Sequence, residues 1–482
     1  MERVEGFVQK YAWGRRGSFS KVAQLKAAGD EEYTIKEDET YAEMWIGTHP
    51  CGPCRVVRNG ISGVLLKDHI DNDPSSLGAI KHKGDLPFLF KVISIDKALS
   101  IQAHPNKLLA ERLHAERPEI YKDDNHKPEM AVTLSDFEAL CGFRPLQEII
   151  WNMHHYPELR AMLSLDAIKA VQLAGNDVAR QKRALKMLFG SYMRVDPEVA
   201  KAQVARVVAR LSNPLPQTKK AWEELKAEPA RDGEVVVIND VDAKTKLCAF
   251  MYERGFRGGN KAMEAMDSRL ERNNPDIVRV MLRLSQEYPG DLGIFMPLVL
   301  NFLKLKTGQA FFMTVDEPHA YLQGDILECM ACSNNVVRAA LTPKYRDIEL
   351  LVEMLSYNMG APAVLPVEPV DHFRKRYTPP ISEFEIEDVR VPENEAYHIE
   401  SMPVPAVLVT LAGGEGGIVI EEKSGREIEA SEGGVFFLPA DTNVTLVADK
   451  HSPMHLAMAH TNLNWGSMQM TLSPRGYSAP NF

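Results

Sequence analysis

Six cysteines in 482 residues are too few for a disulfide framework. Two pairs do fall at Cys-x-x-Cys spacing, "CGPC" at Cys51 and Cys54 and "CMAC" at Cys329 and Cys332. A redox pair of this kind opens a helix after a strand, whereas "THPCGPCRVV" continues as extended chain. A zinc ribbon keeps its pairs close in sequence, and these lie far apart. Buried or half-buried thiols are the expectation. Long apolar runs are missing too. The most apolar stretch, "GIFMPLVLNFLKLK", is broken by Asn301 and Lys304 and is too short to span a bilayer. The opening "MERVEGFVQKYAWGRRGS" has no apolar run of signal-peptide length, so a cytoplasmic protein is expected. Positive charge is also short. Against 56 Lys and Arg stand 66 Asp and Glu, a net charge of −10. That argues against nucleic acid or an anionic membrane as partner, because both need a basic footprint. A small anionic substrate, which needs only a few local cations, stays open.

What is present is an ordinary globular composition, 45% hydrophobic and 25% charged, in a chain long enough for about two to four domains. From Tyr41 to about Pro145 the signals are strand-like: "AEMWIGTH", "CRVV", "PFLFKVISI", "LSIQAH" and "EMAVTL". One helical piece, "NKLLAERLHAERPEIY", interrupts them, with Leu108, Leu109 and Leu113 at helical spacing. From "LQEIIWNMHHYPELRAML" to about Asn274 the texture turns to Ala, Leu, Lys, Arg and Glu, which predicts several amphipathic helices. "NNPDIVRVMLRLSQEY" predicts another, with Pro275 at its start. Strand character returns in "GQAFFMTV", "GDILECMA" and "NNVVRAAL". After a Pro-rich loop around 360–380, the tail alternates short strands with Gly, Asp and Asn turns, as in a small antiparallel barrel or sandwich. The expected class is mainly β with an α-helical insert. Its divisions are 1–150 and 276–360 for one β domain, 151–275 for the insert and 361–482 for a second β domain.

Two stretches carry chemistry. In "ALSIQAHPNK", strand alternation points Ser100, Gln102 and His104 one way and Ile101 and Ala103 the other. In "DNHKPEM" the same parity puts Lys127 and Glu129 on one face, with His126 opposite. "DEPHAYLQGDILECMA" adds His319 just before a turn at Gly324. Two imidazoles, a carboxylate and an amide could hold one metal ion in a barrel mouth, since catalytic zinc commonly takes His and Glu ligands. They could equally satisfy one another at a barrel rim. Lys127, a cation, is expected to face an anionic or polarised substrate rather than the metal. In "NNVVRAALTPKYRD", Arg338 could stabilise charge developing on oxygen and Lys344 could bind phosphate, unless both lie on a solvated strand end. Glu328, between apolar neighbours, is either an inward functional group or an edge residue.

These blocks, "YAWG", "YAEMWIGTHP", "SIQAHPNK", "YKDDNHKPEMAV" and "DEPHAYLQGDILECMACSNNVVRAALTPK", closely resemble type I mannose-6-phosphate isomerase (phosphomannose isomerase). The resemblance covers residues 11 to 145 and 290 to 346, in the expected order. It implies two cupin or jelly-roll-like β domains with a helical insert, and one Zn2+ per chain held by Gln102, His104, Glu129 and His319. It implies Arg338 as the catalytic arginine, and Ser100, Lys127, Glu328 and Lys344 as the lining of a sugar-phosphate pocket. It implies a monomer acting on a phosphorylated hexose, in the carbohydrate metabolism that feeds GDP-mannose biosynthesis. The reaction would move a proton between C1 and C2 through a cis-enediol. Lys127, Glu328, His126 and a water on the zinc are all chemically able to be the base. Two other readings remain, a metal-dependent cupin oxygenase and a non-catalytic sugar-binding bicupin. Neither explains why Lys127, Arg338 and Lys344 should gather near a metal.

Overall fold

The computed structural model describes residues 1–212, 236–237, 274–463 and 465, apart from 59, 81–83, 363 and 415. The expected helices between 213 and 273, Cys248, and the tail beyond 465 lie outside the described residues. No helix among the described residues is long and apolar enough to cross a membrane.

The long strand His319–Ala331 organises the molecule, because two facing sheets share it. Its C-terminal part lies in a sheet ordered Phe7–Gln9, Glu43–Ile46, Phe88–Ile95, His319–Ala331, Glu129–Thr133, Ala310–Met313, Val364–Leu365. Its N-terminal part lies in a second sheet, between Ile101–Ala103 on one side and Phe137–Phe143 on the other. Val337–Ala340 and Leu300–Leu305 flank those two. Where sequence predicts a turn, at Gly324, the strand runs on but changes sheet. Gly324 has φ 120°, and a Cβ there would stand 2.7 Å from Asp136 O and from the Phe137 ring. Only glycine takes that bend.

Between the two sheets lies a core of Phe137, Phe311 and Tyr321, with ring centroids 5.7 to 6.1 Å apart, packed on Ile93, Ile95, Ala131, Leu303 and Ile326. Strand alternation assigns the opposite faces. Phe88, Phe90, Val92, Met130 and Phe312 point away from this core. They pack on Ile386, Val407, Val409, Ala457 and Ala459 of a third sheet. That third sheet is ordered Glu368–Pro369, Arg374–Tyr377, Glu385–Val391, Met454–His460, Ala406–Ala412, Val435–Leu438, Glu2–Glu5, Arg55–Arg58, Ile61–Leu65. Its far face carries Val389, Leu408 and Met458, which meet Ile399, Val419, Val444 and Leu446 of a four-stranded fourth sheet. The expected Pro-rich loop therefore contains strands, Glu368–Pro369 and Arg374–Tyr377.

Helices close the other side. Leu146–His155, Leu165–Leu173, Val178–Met193, Pro197–Ser212 and Pro275–Glu287 put Ile149, Val171, Leu185, Leu188, Val207, Val280 and Leu284 onto Phe143, Phe302, Leu322 and Ile101. Pro275–Glu287 starts where predicted. The Asn274 side chain accepts from Asp276 N at 3.0 Å, and Pro275 takes the first turn, where its missing N–H is harmless. The helix Lys107–Glu116 forms as expected, but only Leu113 of its three leucines is buried; Leu108 is exposed. The order is thus helices, then four sheets, and the inner face of the first two sheets holds the polar side chains that matter below.

Candidate metal centre and active site

Register builds the site. Gln102 on the short strand Ile101–Ala103 stands opposite His319 on one side and Arg338 on the other. His104 follows two residues on, on the same face. Glu129 opens its strand after Pro128, paired with Met313 and Met330. His104 Nε2 lies 3.3 Å from Glu129 Oε1, and His319 Nε2 lies 3.2 Å from Glu129 Oε2. All three residues are about 1% exposed, and the three ligand atoms lie within 4.8 Å of one another.

The remaining ring nitrogens are already engaged. His104 Nδ1 meets Asn335 O at 2.7 Å and His319 Nδ1 meets Glu317 O at 3.1 Å. A carbonyl only accepts, so each Nδ1 carries the proton and each Nε2 presents its lone pair inward. Burial, aided by the Lys127 charge, brings His104 down to about 4, which keeps it neutral. Burial would push Glu129 up, but the Lys127 charge beside it outweighs that and holds the carboxyl well below the usual range. His104 Nε2, Glu129 Oε2 and His319 Nε2 make no hydrogen bond. Leaving a buried polar atom unmade costs about 1–3 kcal/mol, so three that converge form a donor set suited to a divalent cation. The residues present fit a metal.

Lys127 and Glu129 share a face, as strand alternation predicts. The Lys127 Nζ sits 2.9 Å from Glu129 Oε1. Residues 127 and 129 share a face across the extended Pro128, so the ammonium falls naturally on the carboxylate. His126 points the other way, as its parity predicts, and meets Glu383. Ser100 Oγ donates to Gln102 Oε1 at 3.3 Å, beside the cluster. Arg338 is half-buried and has no hydrogen-bond or ion-pair partner among the described residues. Its burial lowers the guanidinium from its ordinary value. Lys344 is exposed, and no contact ties its ammonium to the cluster.

Glu328 faces inward, and its two oxygens are held separately. Tyr321 Oη donates to Oε1 at 2.8 Å and Lys91 Nζ to Oε2 at 2.7 Å. Lys91 is also 3.5 Å from Glu43 and lies over the Trp45 ring. Burial raises the Glu328 carboxyl, with Glu129 adding to the rise and Lys91 opposing it. Burial alone would lower Lys91, but Glu328 and Glu43 reverse that and raise it. Sequence reasoning passed over Lys91, Glu43 and Tyr321. The signal for Lys91 is there, a lone lysine inside "FLFKVISI", a strand buried along its whole length. Among the cysteines, Cys54, Cys141 and Cys329 are buried and Cys332 half-buried as expected, whereas Cys51 is exposed.

Residues 1–146 match the family model for the phosphomannose isomerase type I catalytic domain. The mannose-6-phosphate isomerase of Mus musculus is 38% identical over 451 residues, covering 91% of this chain and 93% of its own length. The mannose-6-phosphate isomerase of Homo sapiens is 36% identical over 448 residues, with the same coverage of 91% and 93%. The solved apo form of mannose 6-phosphate isomerase from Salmonella typhimurium superposes with a TM-score of 0.68 at 25% identity, covering 96% of this chain and 99% of that one.

Proposed function

Because this chain belongs to the type I phosphomannose isomerase family, we propose that it interconverts mannose 6-phosphate and fructose 6-phosphate through a cis-enediol, with one zinc ion bound. The observation that carries the reading is the convergence of His104, Glu129 and His319 in a buried wall that also presents Lys127 and Arg338. Gln102, His104, Glu129 and His319 would hold the zinc. When bound, it would supply a Lewis-acid charge that polarises oxygen.

The chain's own residues do the rest. Moving a proton between adjacent carbons is slow because the carbon is a weak acid, so charge on oxygen must be stabilised as it forms. Arg338 supplies that charge. With no carboxylate pairing it, its guanidinium is left for the substrate. Lys344 and Ser100 anchor the phosphate and so fix the reacting carbons. Proton transfer falls to Glu328 and Lys127. Glu328 is fixed in orientation by Tyr321 and Lys91, and its raised carboxyl can hold a proton as well as take one. The same reading takes the protein as a cytoplasmic monomer, with the catalytic β domain split around the helical insert and the C-terminal β domain beside it.

A coupled assay of fructose 6-phosphate formed from mannose 6-phosphate tests it. Turnover should vanish on complete chelation and return with zinc. Full rate after metal removal would reject the zinc, and no turnover in the metal-loaded protein would reject the isomerase.

A further inference from the structure

We propose that Glu383 is a positioning residue for the catalytic centre: its carboxylate holds His126 and, through it, fixes where the adjacent Lys127 presents its ammonium. His126 Nε2 and Glu383 Oε1 are 2.5 Å apart, and both side chains are largely buried, 11% and 18% exposed. Glu383 comes from the third sheet's side of the molecule, just ahead of the strand Glu385–Val391. Nothing in the ligand set itself requires that partner.

The segment Asn125–Pro128 is pinned at both ends from the catalytic side. Asn125 Nδ2 donates to Cys332 O at 3.0 Å, and Asn125 O accepts from Ser333 Oγ and Asn335 Nδ2, each at 3.0 Å. Pro128 O accepts from Ala331 N at 3.2 Å. These pins act at residues 125 and 128, and His126 and Lys127 lie between them. In an extended chain successive side chains point to opposite sides, so a clamp on residue 126 sets the direction of residue 127. That direction decides whether the Lys127 ammonium, on its flexible four-carbon stem, reaches Glu129 Oε1, 2.9 Å away.

The clamp itself is held firmly. Asn462, buried, donates from Nδ2 to Pro379 O at 3.1 Å and to Ile381 O at 2.7 Å, and from its backbone to Ser382 O at 3.2 Å. Two residues beyond Glu383, Glu385 is wholly buried against His460 and accepts from Leu463 N. The turn carrying Glu383 is therefore tied to the last strand of the third sheet. This makes that sheet a working part of the active site, and the inference rests on the isomerase reading above.

Kinetics of Glu383→Ala, Glu383→Gln, Glu383→Asp, His126→Asn and the double variant Glu383→Ala/His126→Asn test it, each zinc-saturated and checked for fold by circular dichroism. Glu422→Gln, which breaks a surface pair with His398 in the fourth sheet, is the control. Loss of an orienting partner typically costs about 10- to 100-fold. We expect kcat to fall about tenfold in Glu383→Ala with KM within about twofold, the aspartate to recover most of it, and the double variant to be no slower than either single one. An unchanged kcat, or single losses that multiply in the double variant, would overturn the proposal. If Glu383→Ala does not fold, Glu383→Gln decides by the same criteria. If the wild type does not turn over, that sinks the isomerase reading alone. The tether is then read from the rate at which a chelator strips zinc, expected to rise about tenfold in the folded variant and overturned by no change.

Discussion

Side chains whose polar atoms are held from two sides set the sharpest expectations. His104 offers Nε2 only because Nδ1 is committed to Asn335 O. Replacing His104 with Asn, or Glu129 with Gln, should leave protein that folds but loses zinc on dialysis, with turnover down by at least about 10²-fold, the upper end for losing an orienting partner. Elemental analysis checks this, and full zinc retention in both variants would refute the donor set. Lys91 makes a different prediction. It is 5% exposed and sits between Glu328 and Glu43, so Lys91→Met leaves two buried carboxylates without their cation. Breaking such a pair from one side costs about 3–5 kcal/mol, which a urea titration would read directly. Sequence showed the roles of the first set and, though Lys91 stands out in its strand, hid its partners. His104 and Glu129 break the apolar pattern at strand ends and Gln102 in a three-residue strand beside one, where polar side chains on one face stand out. Lys91 breaks it in mid-strand, where its partners come from strands far away in sequence.

Strands were legible wherever β-branched and aromatic residues ran together, as in Phe88–Ile95 and Glu129–Thr133. The strand Glu368–Pro369 was not, because two residues that include a proline carry no alternation and form only by pairing with Arg376 and Lys375. The bend at Gly324 was read as a turn because a glycine between strand-like runs signals both. The strand Glu385–Val391 carries an expectation of its own. Burial pushes Glu387 up, but His460, Arg374 and Arg376 outweigh it and bring the carboxyl down from 4.5 to about 2. A carboxyl whose folded value is depressed stabilises the fold above its unfolded value and loses that contribution as pH falls through the folded one. Here the window runs from about 4.5 down to about 2, and the contribution is on the order of 3 kcal/mol. Glu385 beside it moves the other way, raised by burial, so the wild-type curve alone does not assign the effect. Glu387→Gln should be less stable than wild type in urea at pH 7 and lose less between pH 5 and pH 3. Parallel acid limbs for the two proteins would contradict this.

The whole molecule is a stack in which the third sheet sits between two layers, packing on the catalytic sandwich by one face and on the fourth sheet by the other. Its strand order was illegible in the sequence, since pairing between segments hundreds of residues apart leaves no local trace. Three of its strands, Glu2–Glu5, Arg55–Arg58 and Ile61–Leu65, come from the N-terminal region. A fragment of residues 366–463 would therefore expose the edge of Val435–Leu438, with two phenylalanines beside unpaired backbone groups. It should aggregate or unfold without cooperativity, as followed by near-ultraviolet circular dichroism. A sharp two-state transition in the isolated fragment would argue against this view of the sheet. The same pairing has a bearing on how the protein is made. Glu2 is hydrogen-bonded in register with Phe437, 435 positions further along. At about 5–20 residues per second a ribosome needs roughly 20 to 90 s to bridge that interval, and throughout it the early strand waits with the backbone edge that Val435–Leu438 will pair unfilled. Newly emerging chains of this protein should thus be clients of holding chaperones until the strand Val435–Leu438 has emerged.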